Sequence, residues 1–392
     1  MPQGWWAWCS TLVATLVVAQ PRPRPVAVVS EFPTPFTRIG GIRELRDGRV
    51  ILVDRQEQAL MLLDWRSREA RSIGRRGAGP QEYELPDALV AVPGDSTWLW
   101  DAMNFRWLVL DPQGRPLRTW SAVETSKSAL NSGDYLGSDR EGNIYLRTEA
   151  SSQANPFAGT VGRGAILRLS RTTWRLDTVA TLRIPAGRVL GVRPVGDGYI
   201  RRINNLPLAA EDVAAVAPDG RVAVIRVPEY RVEWHRPGAS PVLGPEVTHK
   251  PLPVTAEERR AFIRAQTIPG RIILTGVGSA PGPKPKAMPS RTLPPGATDE
   301  DAEDLPWPAH LPPALPGARV APDGTLWVLR SRPHSQTRPL FDLVNARGEV
   351  VGSVELPPRT RLQGFGQRHL YLVRIDEDDQ EFLQQASYPG TA

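Results

Sequence analysis

The stretch "VAAVAPDGRVAVIRVPEYRVEWHRPG", residues 213–238, is the one on which the fold turns. Asp219-Gly220 stands between two runs rich in Val, Ala and Ile, and an Asp-Gly pair tolerates the positive φ that a tight hairpin needs. Val222 to Ile225, then Val232 and Trp234, suit pleated strands, and a second turn closes the phrase at Gly238. Three strands, the first two joined at Asp219-Gly220 and the third ending in the turn at Gly238, are therefore written into 26 residues.

Working outward, the same phrase recurs along the chain. It reads "IRELRDGRVILVDRQEQALMLLD" at 42–64, "LVAVPGDSTWLWDAMNFRWLVLDPQG" at 89–114 and "YLGSDREGNIYLRTEA" at 135–150. After residue 300 it returns as "ARVAPDGTLWVLR" with "LFDLVNARG", and finally as "LQGFGQRHLYLVRID" at 362–376, which makes six copies. The first three turns, at Asp47, Asp95 and Glu141, lie 46 to 48 residues apart, the length of one four-stranded propeller blade. The later copies are spaced irregularly because material is inserted between them. The expected fold is all-β: a six-bladed β-propeller of four-stranded antiparallel blades, with an open β-sandwich as the alternative. The sixth copy offers only three strands, and "VAVVS" at 26–30 is an orphan. Pairing the two closes the ring and removes the exposed edges of an open sheet.

Residues 5–19, "WWAWCSTLVATLVVA", form an uncharged run too short for a membrane span of about 20 residues, with small residues Val17 and Ala19 ahead of Gln20. Residues 1–19 thus read as a signal peptide, although the usual basic residue before the run is missing and a retained anchor is the other reading. The mature chain, 20–392, is expected to be one propeller, exported to the periplasm or beyond, without a membrane span, and monomeric. Cys9 is the only cysteine and falls in the leader, so disulfides, thiolate metal sites and cysteine catalysis are excluded for the mature chain. The net charge of +6 comes from arginines scattered among 42 acidic residues with no sustained basic block, which argues against a nucleic-acid partner.

Two interruptions break the pattern. Residues 186–211 predict an extended hairpin around Asp197 and Gly198. The longer insert, about 250–317, begins with "TAEERRAFIRAQ", where Thr255 and Glu258 form a capping-box pair and Ala261, Phe262 and Ala265 share a helical face. Beyond it, 280–317 is Pro-rich with an acidic knot and predicts a mobile loop over one face.

Several of these phrases together resemble secreted bacterial six-bladed propellers of the NHL-like or TolB-like class. They are the glycine-rich 74–83, "APDGRVAV" with "EYRVEWHRPG", the "PVTAEERRAF" helix, and "APDGTLWV" followed by "VNARGEVVGSVELP". The resemblance covers roughly residues 26–375 in one blade order; Gln81 and Tyr83 stand where the family has Gly and Phe. It implies the fold and little about activity, since related propellers range from protein-binding modules to calcium-dependent lactonases and lyases.

For chemistry, "IGRRGAGPQEYELP" at 73–86 meets neither the Walker nor the dinucleotide glycine pattern, and no helix follows it to receive an anion. It reads as a blade-to-blade joint anchored by Tyr83, with Arg75, Arg76 and Glu82 offered at a loop mouth to a carboxylate-bearing or peptide ligand. Asp87, Asp134 and Asp212 each stand just before the first strand of a blade, the second, third and fourth. Three convergent carboxylates there would suit Ca²⁺, the alternative reading being a calcium-dependent hydrolase or lyase of the lactonase-like type. The five histidines show no ligand spacing, and no Gly-x-Ser-x-Gly elbow appears. Of the tryptophans, most belong to blade packing, while Trp307 is placed to cap a ligand or partner groove. The leading expectation is an exported binding module for a protein, peptide or glycan, without a catalytic site or cofactor.

Overall fold

A computed structural model describes residues 22–121, 133–151, 160–185, 188–195, 198–204, 207–266 and 307–389. The proposed signal peptide and most of the Pro-rich insert lie outside the described residues.

Each repeat folds as the turns dictate. Blade 1 is built from Ile39–Glu44, Val50–Asp54, Ala59–Asp64 and Glu69–Ser72, hydrogen-bonded in that order. Blade 2 runs from Pro86–Ala91 to Pro116–Ser121, blade 3 from Gly133–Ser138 to Leu176–Arg183, and blade 4 from Val213–Val216 to Val242–Glu246. Blade 5 extends from Arg319–Val320 to Val350–Glu355. In the phrase at 213–238 the first turn places Gly220 at φ +80°, a conformation that an L side chain rarely adopts. At the second turn of blade 5, Gly348 combines φ +78° with a close approach: a Cβ there would meet the Gly244 Cα at 2.7 Å.

Closure follows the expected route. Blade 6 takes its inner three strands from Thr360–Phe365, Leu370–Ile375 and Glu381–Ala386, and its outer strand is Val28–Glu31, antiparallel to Glu381–Ala386. Just upstream, Arg24–Pro25 lies parallel on the outer strand of blade 5, so the N-terminal segment straddles two blades.

The core is divided as a ring requires. Six buried apolar clusters fill the six seams between neighbouring blades. The seam between blades 6 and 1 holds Phe32, Phe36, Ile39, Val50, Tyr371 and Leu383, and so is as well packed as the others.

The interruptions also appear. Arg188–Val195 and Gly198–Asn204 form the expected hairpin as a separate two-stranded sheet, its turn lying outside the described residues. Helix α1, Ala256–Gln266, starts where Thr255 accepts the Glu258 amide at 3.3 Å. The return half of the capping box is absent, because the Glu258 carboxylate instead accepts the His334 amide at 2.6 Å and tethers the helix to blade 5. Its most buried described side chain is Ile263, with Ala261 and Phe262 only partly covered, so the apolar face is rotated from the expected one.

Candidate functional site

Strand direction alternates within a blade, so the loops between second and third strands, and the connections from one blade to the next, emerge at the same end of the ring. The Asp-Gly turns occupy the other end. The connections that leave blades 1, 3 and 4 at Ile73, Ile184 and Val247 and return at Leu85, Asp212 and Ala318 thus start and finish at one mouth, where the inner strands begin.

The glycine-rich stretch there folds on itself. Arg75–Arg76 pairs in parallel with Glu82–Tyr83, the Gly77 amide donates to the Tyr83 carbonyl at 2.9 Å, and Arg75 meets Glu82 at 2.6 Å. Glu82 also accepts the Gly79 amide at 2.8 Å, and that bond followed by the Arg75 guanidinium holds its carboxyl below the usual range. Behind the loop, Arg106 donates to the carbonyls of Ala78 and Glu82, and the buried Asp101 accepts the amides of Glu84 and Leu85. Tyr83 is buried and its hydroxyl accepts the Leu60 amide at 2.9 Å, which joins the loop to blade 1. Arg75 and Arg76 form the rim of this knot: Arg76 pairs with Glu84 at 2.6 Å, and the two arginine side chains stay 82% and 62% exposed.

The three aspartates have different surroundings. Asp87 pairs with Arg55 at 2.7 Å, and Asp134 is exposed at the start of blade 3. Asp212 is fully buried: its carboxylate accepts the Arg226 guanidinium at 2.6 Å, the Arg183 amide at 2.8 Å and the Arg183 guanidinium at 3.3 Å. Two cations and an amide thus occupy the oxygens that a metal would need. Among the described residues, no group of three or more His, Cys, Asp or Glu side chains is placed to hold a metal ion.

Buried acids act as ties elsewhere too. Asp54 accepts the amides of Thr37, Arg38, Gln56 and Glu57; Glu381 accepts the Ile39 amide and Arg361; Asp342 accepts Tyr230 and Arg330. Each lies near the mouth and fixes a loop or a neighbouring blade, and such fully satisfied carboxylates hold geometry without being available to substrate.

Sequence reasoning missed the cations of the mouth. Arg38, Arg319 and Arg361 stand at the starts of inner strands in blades 1, 5 and 6, the same places as the aspartates of blades 2 to 4. Arg55 reaches the mouth by lying across Gly40, where a Cβ would meet the Arg55 Cγ at 2.5 Å. Arg361 donates to the Ile39 carbonyl at 2.8 Å and to Glu381 at 2.6 Å, and is further held by Gln363. The signal that would have found them was available: any charge at the register where the aspartates were sought.

Trp307 packs edge-on against Phe262 at 5.5 Å and beneath the Arg259 guanidinium, so it caps helix α1. Trp98, Trp107, Trp120 and Trp174 stack among themselves on blades 2 and 3, with Trp120 and Trp174 at 4.7 Å. At the opposite end a groove of about 500 Å³ between blades 3 and 4 is lined by Asp139, Arg140, Tyr145, Asp219 and Arg236. Its acids are engaged, Asp139 by Asn143 and Tyr145 and Asp219 by Arg221 and Arg236.

No protein-family model matches the sequence, and no curated protein does. Among solved structures the chain is similar to regucalcin, a calcium-binding protein from Agrobacterium tumefaciens strain C58, at 10% identity and a TM-score of 0.44, covering 94% of this chain and 97% of that one. It is similar to a gluconolactonase from Xanthomonas campestris at 9% identity and TM-score 0.42, covering 94% and 98%. A virginiamycin B lyase from Staphylococcus aureus gives 7% identity and TM-score 0.39 over 93% and 99%. No residue role is carried over from them. No helix among the described residues is long and apolar enough to cross a membrane.

Proposed function

We propose that this chain is an exported, non-enzymatic binding module that takes a protein, peptide or glycan at the end of the ring where the long connections emerge. The observation that carries this reading is the division of labour among charges at that end. Asp54, Asp101, Asp212 and Glu381 are buried and spent on amides and guanidiniums, whereas Arg75 and Arg76 stay largely exposed, each held by a single rim carboxylate, Glu82 and Glu84. A folded loop with exposed arginines on a closed scaffold suits recognition, and among the described residues no nucleophile and base are paired there for turnover. The export part of the reading rests on residues 5–19.

Peptide and glycan arrays probed with the full chain test it. At least one saturable ligand is expected, lost on the double change Arg75→Glu and Arg76→Glu and retained on Arg140→Glu at the opposite end. A ligand that maps to the turn end, or calcium-dependent opening of a lactone that is lost on Asp87→Asn, would overturn it.

A further inference from the structure

The mouth of the central channel has a composition of its own. On the inner strand of blade 5, Ala318 and Val320 turn into the seam with blade 4, so Arg319 between them faces the other way, toward blade 6. There it is exposed, and among the described residues it makes no hydrogen bond or ion pair. It is nevertheless hemmed in: desolvation by the surrounding ring lowers its pKa, Arg361 of blade 6 and Arg55 of blade 1 lower it further, and Tyr135 of blade 3 opposes them. Arg319 also begins the innermost strand of its blade, at the same end of the ring where Arg361 stands at the start of the innermost strand of blade 6.

Its neighbours are held in place. Arg361 is fixed by Glu381, the Ile39 carbonyl and Gln363. Arg55 is laid over Gly40 and tied to Asp87, and Arg38 shares Glu381 at 3.4 Å. Three guanidiniums thus share the carboxylates of Asp87 and Glu381, Arg319 adds a fourth with no acid of its own among the described residues, and Asp134 is exposed on blade 3. The basic side, blades 5, 6 and 1, carries excess positive charge in a confined, partly desolvated space, where fields are focused rather than screened.

We infer that this mouth is a binding site for a small anion with two or more carboxylate or phosphate oxygens, received by Arg319 and supported by Arg361, Arg55 and Arg38. Arginine forks match such oxygens bidentately, and three of the four are pre-positioned by other contacts, so little side-chain freedom is lost on binding. Tyr135 packs against the seam of blades 2 and 3 with its hydroxyl 3.4 Å from the Leu89 carbonyl and from Ser138; burial pushes that hydroxyl up to about 12, so it is neutral at neutral pH. The inference deepens the reading of this end as the binding face and rests on it.

Titration calorimetry of the full chain with citrate and with inorganic phosphate, at fixed ionic strength in chloride, tests it. Saturable binding of at least one is expected, weakened at least about tenfold by Arg319→Ala, which removes a charged hydrogen-bond partner. Gly40→Ala, which displaces Arg55 while keeping every charge, is expected to weaken binding by about threefold or more. Arg140→Ala at the far end leaves it unchanged. Absence of saturable heat with both anions, or affinity untouched by both Arg319→Ala and Gly40→Ala, would overturn the site. Array ligands lost on Arg75→Glu and Arg76→Glu without any anion binding would leave the module and remove this site; anion binding without such ligands would do the reverse.

Discussion

Replacing Asp212 separates two roles that its position alone allows. In the structure its carboxylate is wholly buried and accepts Arg226 at 2.6 Å, the Arg183 amide at 2.8 Å and the Arg183 guanidinium at 3.3 Å. Arg183 is 49% exposed and bonds Glu229, so it can rehydrate when Asp212 is removed. Arg226 is only 13% exposed and would keep Glu233 as its sole carboxylate partner. Removing one member of a buried pair costs about 3 to 5 kcal/mol, and an orphaned buried amide about 1 to 3. Because Glu233 still neutralises Arg226 and water can reach Arg183, the lower end applies, about 3 kcal/mol for Asp212→Ala. Asp212→Asn keeps an acceptor for the amide and is expected to cost about half as much. Urea unfolding followed by tryptophan fluorescence, with calcium and with chelator, measures both. The expected result is an equal loss in both buffers at unchanged m-value. A loss below about 1 kcal/mol in chelator, together with a calcium-dependent stabilisation that vanishes in the variant, would refute the reasoning and restore Asp212 as a ligand.

Tyr83→Phe leaves the buried Leu60 amide without its acceptor at 2.9 Å, and is expected to lower stability by about 1 to 2 kcal/mol in the same unfolding assay. Deleting residues 22–31 removes the outer strand of blade 6 and the strand pinned on blade 5; a lower, broader urea transition and association on a sizing column are expected, and an unchanged midpoint would contradict closure by that segment. The Arg183 hydrogen bond holds the Glu229 carboxyl down at about 2, below its ordinary 4.5. A depressed acid stabilises the fold above its unfolded pKa and loses that contribution as pH falls through the folded value. The urea midpoint should therefore be flat above pH ~5 and fall toward pH ~2, with Glu229→Gln removing about 1 kcal/mol of that slope once solvent screening is allowed for. Trp174 holds φ +57° in its turn while packing on Trp98 and Trp120. Trp174→Gly relieves about 1 kcal/mol of backbone strain and forfeits more in ring contacts, so a net loss of about 1 to 2 kcal/mol and a changed near-ultraviolet dichroism spectrum are expected.

Local chemistry explains what was legible in the sequence. Asp219-Gly220 and its relatives specify hairpins from two adjacent residues, and the missing fourth strand of the last repeat pointed to residues 26–30, which pair there in part as Val28–Glu31. The site was less legible because its meaning lies in partners distant along the chain. Asp87 and Asp212 hold equivalent places before inner strands, yet Asp212 is sealed by Arg183, 29 residues before it, and Arg226, 14 after it. Arg55, Arg319 and Arg361 look scattered in the sequence and become neighbours only when the ring brings blades 1, 5 and 6 together. The glycines around Arg75 disclosed a joint, while its lock on Arg106 and Asp101 depended on side chains 28 and 17 residues downstream of the groups they hold, for which no local rule exists.

The pairing of Val28–Glu31 with Glu381–Ala386 also sets a schedule. Glu31 meets Gln384 across 353 residues of chain, so one of the earliest strands to be synthesised waits for the last strand of the ring before it has a partner. Loop-closure entropy makes such a contact late and slow, and until it forms, blade 6 shows an unprotected edge. Arg24–Pro25, docked on blade 5, gives the waiting segment a foothold one blade away. Ring closure thus makes the two ends of the ring depend on each other: a chain cut short before residue 381 leaves Val28–Glu31 without its partner strand and blade 6 with an open edge.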